Sequence, residues 1–199
     1  LGASATLFTN TLLTSGYAVD EVTFAGMNPA VLNDYDIVIL SGGVATTNMF
    51  NDATKRTALI NFTLAGGKTL VEGGEVGYIF RQQTTEVDVN FRRTLLMDSI
   101  WISDVAGGSL LVRVPAHPMF NDPNTVPGTI AITNSGGSGY GARDAMRIMP
   151  NVAGVRKLAG WSAYPDSAGI FIYYVNNDTL QPRNIFFTFA VAQITDQTI

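Results

Sequence analysis

The chain has 199 residues, of which 46% are hydrophobic and 14% charged, with a net charge of −4 and no cysteine. A sizeable core can be buried, while disulfides, thiolate metal sites and a cysteine nucleophile are excluded. The slight negative charge has no basic cluster against it, which argues against nucleic acid and anionic membrane surfaces as partners. No apolar run reaches the ~18 residues of a membrane helix. Lysine is confined to Lys55, Lys68 and Lys157, and Thr, Asn, Ser and Gly are abundant. This composition leans towards an extracellular or cell-surface bacterial protein. No signal peptide is visible, and a start at Leu1 suits a processed chain, an excised domain or partial coverage.

Residues 4–15 place Phe8, Leu12 and Leu13 near one helical face, and Gly16 then fits a helix C′ position. YAVDEVTF (17–24) alternates as a strand should. DIVILSGG (36–43) is a continuous apolar run ending in Gly42-Gly43, the pattern of a strand buried on both faces. Asn51-Asp52 can cap a helix, ATKRTALINFTLA, with Ala58, Leu59, Phe62 and Ala65 inward and Gly66-Gly67 at its end. KTLVEGG is the next buried strand. A further helix is expected around 88–98, with Phe91, Leu95 and Leu96 on one face.

From residue 106 the character becomes β-rich. GGSLLVRVP and GTIAI read as strands, and NSGGSGYGARDAM as a Gly-rich surface loop. The loop lacks the Gly-Lys-Ser/Thr ending of a phosphate-binding P-loop. IMPNVAGVRKLAGWS, AGIFIYYVNN and NIFFTFAVAQI supply more strands. The last two are expected in the main sheet as antiparallel neighbours joined near Asn176-Asn177-Asp178. With no internal repeat and no linker, residues 1–199 form one domain: a flavodoxin-like α/β fold, doubly wound and mostly parallel, with helices on both faces and a β-rich C-terminal part. Doubly wound sheets usually open with a strand near the sheet centre, whereas this chain opens with a helix. The strands expected at 18–24 and 36–41 therefore lack a neighbour, and a segment before Leu1, or another segment or chain, is expected to fill the slot.

YDIVILSGG followed by a capped helix and LAGGKTLVEGGEVGY resembles the class I glutamine amidotransferase-like superfamily, and within it the ThuA-like members and related modules of large secreted bacterial proteins. AHPMFND (116–122) also looks like a segment of such proteins, and the resemblance covers roughly residues 1–125. Catalytic members carry Gly-x-Cys-x-Gly at a strand-to-helix elbow. Here that stretch spans Gly73, Gly74, Glu75, Val76 and Gly77, so Glu75 stands where the cysteine would be. Flanking glycines let the strand turn sharply around a strained central residue. A carboxylate there is a poor acyl acceptor and cannot run thioester chemistry. His117, the single histidine, follows a β-like stretch and matches the family's catalytic histidine only superficially.

Candidate ligand-binding residues are Gly43, Glu72, Gly74, Glu75 and Tyr78, at the carboxyl edge where α/β sheets bind ligands. Glu75, with Asp36, Glu72 and Asp104, can build an acidic cleft, although the spacing demands no metal and no cofactor motif is present. The bland reading of Glu75 is a first-turn acid that gains ~0.3–1 kcal/mol from the helix dipole. Trp161, Tyr164, Tyr173 and Tyr174 read as core aromatics before a sugar platform. Two functions follow. One is a non-catalytic binding or assembly module of a secreted bacterial protein, its partners other domains or chains of a larger extracellular assembly, itself included. The other, which the ThuA-like resemblance implies, is a carbohydrate-active hydrolase or isomerase with Glu75 as acid/base and His117 as a second catalytic candidate. A second carboxylate near Glu75 discriminates between them, because glycoside hydrolysis usually needs two, roughly 5–9.5 Å apart.

Overall fold

The computed structural model describes residues 2–97, 99–106, 108–122, 124–133, 143–148 and 153–195. The chain opens with helix α1 (Ala3–Thr14). Gly16, at φ +86°, ends it by donating to the Leu13 carbonyl, while Tyr17 N donates to that of Leu12, so the C-terminal orphan carbonyls are satisfied as a Gly C′ permits. The expected strand at 17–24 does not form. Those residues run exposed and unladdered into a 3₁₀ turn, Phe24–Gly26, and a second one, Pro29–Asp34. Alternation alone does not make a strand; a ladder partner is also required, and none lies beside this segment among the described residues.

Strand β1 (Ile37–Ser41) leads to helix α2 (Ala53–Leu64), whose N-cap Asp52 accepts from Lys55 N at 3.1 Å. Strand β2 (Lys68–Glu72) is followed at once by the short helix α3 (Val76–Arg81) and by α4 (Glu86–Leu95), capped by Thr85. Then come strands β3 (Ile100–Asp104), β4 (Ser109–Val112), β5 (Thr129–Ala131), β6 (Asp144–Arg147), β7 (Val155–Trp161), β8 (Ile170–Tyr174) and β9 (Pro182–Phe187).

The main sheet has the order β1-β2-β9-β8-β7-β4-β5. β1, β2 and β9 are parallel, and each later neighbour is antiparallel. Five of the seven strands therefore point one way, with β8 and β4 reversed. The late strands rejoin the sheet as expected, β8 and β9 side by side. Val71, Phe186 and Phe171 form one cross-strand row, buried beneath Leu59, Phe62, Phe91 and Leu95 of α2 and α4. On the opposite face Ile170, Ile172 and Tyr174 pack with Leu110, Leu158 and Trp161 in a second cluster. Arg56 and Asp88 join α2 to α4 through a buried ion pair at 2.9 Å. β3 and β6 form a separate antiparallel ribbon, in which Asp104 pairs directly with Asp144.

Candidate functional site

The carboxyl ends of β1 and β2 are knitted together by glycine backbones. Gly42 N donates to the Glu72 carbonyl at 2.8 Å, Gly74 N to that of Gly43 at 3.0 Å, and Gly73 N to that of Phe187 at 3.3 Å. Gly73 sits at φ +149°, where a Cβ would lie 2.7 Å from Val76 Cγ2 and 3.2 Å from Gly42 Cα. Only glycine permits that approach. The next side chain, Glu75, leaves the turn as the N-cap of α3 at φ −117°, ψ 2°. The elbow's conformational exception is thus at Gly73, and the central residue carries no left-handed strain.

Glu75 meets two other acids there. Its carboxylate and those of Asp104, at the end of β3, and Asp144, at the start of β6, place oxygens within 4.8 Å of one another. Three separate elements supply them, and like charges directly opposite in a ladder oppose folding, so the register that pairs Asp104 with Asp144 is a cost. Asp144 is fully buried. Trp101 Nε1 donates to its Oδ1 at 2.7 Å and Tyr78 N to its Oδ2 at 3.0 Å. Room for it comes from Gly77, where a Cβ would fall 2.9 Å from Oδ2 and 2.4 Å from Met146 Sδ.

Every acid of the cluster is held above its ordinary pKa. Burial drives Asp144 well up, with Glu75 and Asp104 adding to it against the two donated hydrogen bonds. Burial and then Asp104 raise Glu75. Burial raises Asp104, opposed by Arg81. The Arg81 guanidinium lies 4.1 Å from the Trp101 ring centroid and 5.1 Å from that of Tyr78, whose rings are themselves 5.3 Å apart. One side of the cluster is therefore an aromatic and cationic wall.

The other sequence candidates divide sharply. Glu72 is fully buried and lies outside the cluster. It accepts from Ser41 Oγ at 2.5 Å, Gly43 N at 2.9 Å and Val191 N at 2.9 Å. Those bonds tie β1, β2 and the chain after β9 together, while burial raises its pKa. Gly43 and Gly74 shape the turn through their backbones, and Tyr78 contributes its N–H and ring. Asp36 stands exposed one residue before β1, at the opposite edge of the sheet from Glu75. His117 bonds the Tyr174 hydroxyl, and Tyr174 pairs with Pro182 at the amino end of β9, while Phe187 at the other end pairs with Glu72. At ~3.3 Å per residue the two ends of β9, and with them the His117 contact and the elbow, lie on the order of 16 Å apart. Trp161 is a core residue, fully buried.

Asp144, Trp101 and Arg81 are the residues sequence reasoning missed. Asp144 was absorbed into the Gly-rich loop, although Ala145 and Met146 continue it as a buried strand. Apolar Ile100, Trp101 and Ile102 before Asp104 were the signal for β3. Of the expected loop, 134–146, residues 134–142 lie outside the described residues, and its end is strand rather than loop, from Asp144 onward in β6.

An all-oxygen set of this kind suits a hard cation such as Mg²⁺, Ca²⁺ or Mn²⁺. Protons and Arg81 are the alternative compensation, and both oxygens of Asp144 already accept hydrogen bonds. A narrow slot lined by Gly42, Phe50, Val76, Ile79 and Phe80 adjoins the elbow, and an open cavity of about 210 Å³ lies away from it around Lys68, Leu180 and Arg183.

No family model matches the chain, and no curated protein matches it. A solved structure described as a ThuA-like protein, from Bacteroides uniformis ATCC 8492, superposes with a TM-score of 0.60 at 14% identity. The alignment covers 94% of this chain and 73% of that one. At that identity the likeness establishes a shared fold, a ThuA-like α/β architecture.

Proposed function

We propose that this chain is an acid–base enzyme acting on a small carbohydrate, with Glu75 as the group that transfers the proton and Asp144 as its protonated partner. The observation that carries this reading is the convergence of Glu75, Asp104 and Asp144 within 4.8 Å, all with raised proton affinity. Environments that move carboxyl pKa values apart supply an acid and a base side by side. Asp144, fully buried and the most strongly raised, is assigned the proton-holding role; Glu75, less deeply buried, the exchanging role; and Asp104, whose rise Arg81 opposes, the charge-stabilising one. Spacing this tight leaves no room for the water of inverting glycoside hydrolysis, which needs about 6.5–9.5 Å between carboxyl groups. Proton transfer in sugar isomerisation, or a retaining hydrolysis, fits it. The sugar class rests on the ThuA-like fold and on the Trp101–Tyr78–Arg81 wall beside the acids.

The test is turnover of a panel of aryl glycosides and free aldoses and ketoses, followed by chromatography and by deuterium uptake from D₂O. Activity should be present in the native chain, lost in Glu75→Gln and retained in His117→Ala. Turnover indifferent to Glu75→Gln, or none between pH 4 and 9, would sink the proposal. The alternative, a non-catalytic assembly module, draws support from β1, which ends its sheet and has β2 as its one ladder partner among the described residues.

A further inference from the structure

We infer that Arg143 is the receptor of a small monocarboxylate, bound inside the protein on the side of β6 opposite the acid cluster. Arg143 stands one residue before β6, where Val105 N donates to its carbonyl at 2.9 Å and its backbone bridges to Phe189. Successive side chains of an extended segment leave opposite faces. Asp144 therefore joins Glu75 and Asp104, while Arg143 enters the second hydrophobic cluster beside Ile132 and Trp161. It is 1% exposed.

The guanidinium is anchored at one corner and bare along one edge. Nη1 donates to the Ile132 carbonyl at 3.1 Å, and the Trp161 ring centroid lies 5.8 Å from Cζ. Nε and Nη2, both fully buried, have no hydrogen-bond partner. These two nitrogens present parallel N–H groups, the edge of the fork that meets both oxygens of a carboxylate. Among the described residues no acid forms an ion pair with Arg143, whereas Arg56, also buried, is met by Asp88. Asp144, next in sequence, has its oxygens on Trp101 Nε1 and Tyr78 N.

Burial lowers the proton affinity of Arg143, yet an arginine stays ionised at neutral pH. An uncompensated buried charge is strongly destabilising, and a water on the bare edge would satisfy donors while leaving the charge. An anion does both. The neighbours Ile132, Trp161 and Phe189 are apolar, so the anion sheds its water. A doubly charged sulfate or phosphate is far costlier to dehydrate than a singly charged carboxylate. Chloride offers one centre to two parallel donors. A side chain presented from another protein's surface does not reach a fully buried edge; an acid the size of formate or acetate enters by local opening.

The probe is sodium acetate, then formate, at an ionic strength held constant with sodium chloride, read by thermal unfolding of the native chain near neutral pH. Above its Kd, each tenfold rise in acetate should raise Tm by about 3–5 °C. Arg143→Met, which removes the unpaired charge, should melt no lower than the native chain in chloride and gain nothing from acetate. Arg143→Lys keeps the charge without the fork and should bind at least about tenfold more weakly. Carbon-13 acetate NMR on the native chain reads binding without any variant, and saturable broadening is expected. No response to acetate or formate beyond that to chloride would overturn the site and leave water on the edge. A rise reproduced in Arg143→Met would overturn it as well. A sulfate effect larger than that of acetate and abolished by Arg143→Met would overturn the carboxylate class.

Discussion

Replacing Glu75 by glutamine should stabilise the protein at pH 8 and leave it unchanged near pH 4. The dipole argument alone gives the opposite sign, a loss of ~0.3–1 kcal/mol at the N-terminus of α3. Two unit charges at the outer limit of 4.8 Å within which these oxygens lie repel by about 3.5 kcal/mol at an effective dielectric constant of about 20. Asp104 is partly exposed and faces Arg81, so roughly half of that, about 1–2 kcal/mol, survives screening. The net gain is about 1 kcal/mol, or a rise of about 2–4 °C in Tm for a chain of this size. Glu75, Asp104 and Asp144 all have raised folded pKa values, so the folded state binds their protons more tightly than the unfolded chain does. Their contribution is therefore fully present below the unfolded values, near 4, and is lost as pH rises through the folded ones. Thermal unfolding of both proteins from pH 4 to 8 checks it. A variant less stable than the native chain at pH 8 by more than about 1 kcal/mol, or a difference independent of pH, would refute the electrostatic account.

Glu72→Gln should behave in the contrary way, losing about 2–3 kcal/mol in urea unfolding, because an amide N–H₂ must face donors from Ser41, Gly43 or Val191. Gly77→Ala should cost about 1–3 kcal/mol, since its Cβ would overlap Met146 and crowd Asp144; the Trp101 fluorescence should shift with it, as the indole is bonded to Asp144. His117→Ala should alter stability through Tyr174 and leave any turnover intact, which kinetics alongside a melting curve will separate.

The half of the fold built on local signals was legible. Asp52 and Gly16 mark helix ends by side-chain and backbone chemistry that acts within four residues, the run 37–41 is apolar throughout, and 68–72 is a strand laddered on both sides, by β1 and by β9. What stayed hidden depends on distant partners. Residues 17–23 alternate like a strand, yet no strand lies beside them. Asp104 and Asp144 are 40 positions apart, and only the antiparallel register of β3 with β6 brings them together. His117 illustrates the reverse error: a residue type suited to catalysis, carried by the topology to the far edge of the sheet.

Two glutamates three residues apart show how the same side chain is sorted into structure or chemistry. Glu72 ends β2 among donors: the Ser41 hydroxyl and the N–H groups of Gly43 and Val191 take up its lone pairs. It has no acid beside it. Its burial is compensated, and nothing remains for a substrate to use. Glu75 lies past the turn that Gly73 makes possible. It accepts no capping hydrogen bond from α3, and its nearest charged neighbours are carboxylates. Burial raises the proton affinity of both glutamates, opposed by donated hydrogen bonds at Glu72 and reinforced by Asp104 at Glu75. A fold under selection for stability alone would have given Glu75 the same donors or removed Asp104 and Asp144 from its reach. Keeping three acids together at the carboxyl edge, with Gly77 bare to admit the most buried of them, is a stability cost that proton transfer would account for.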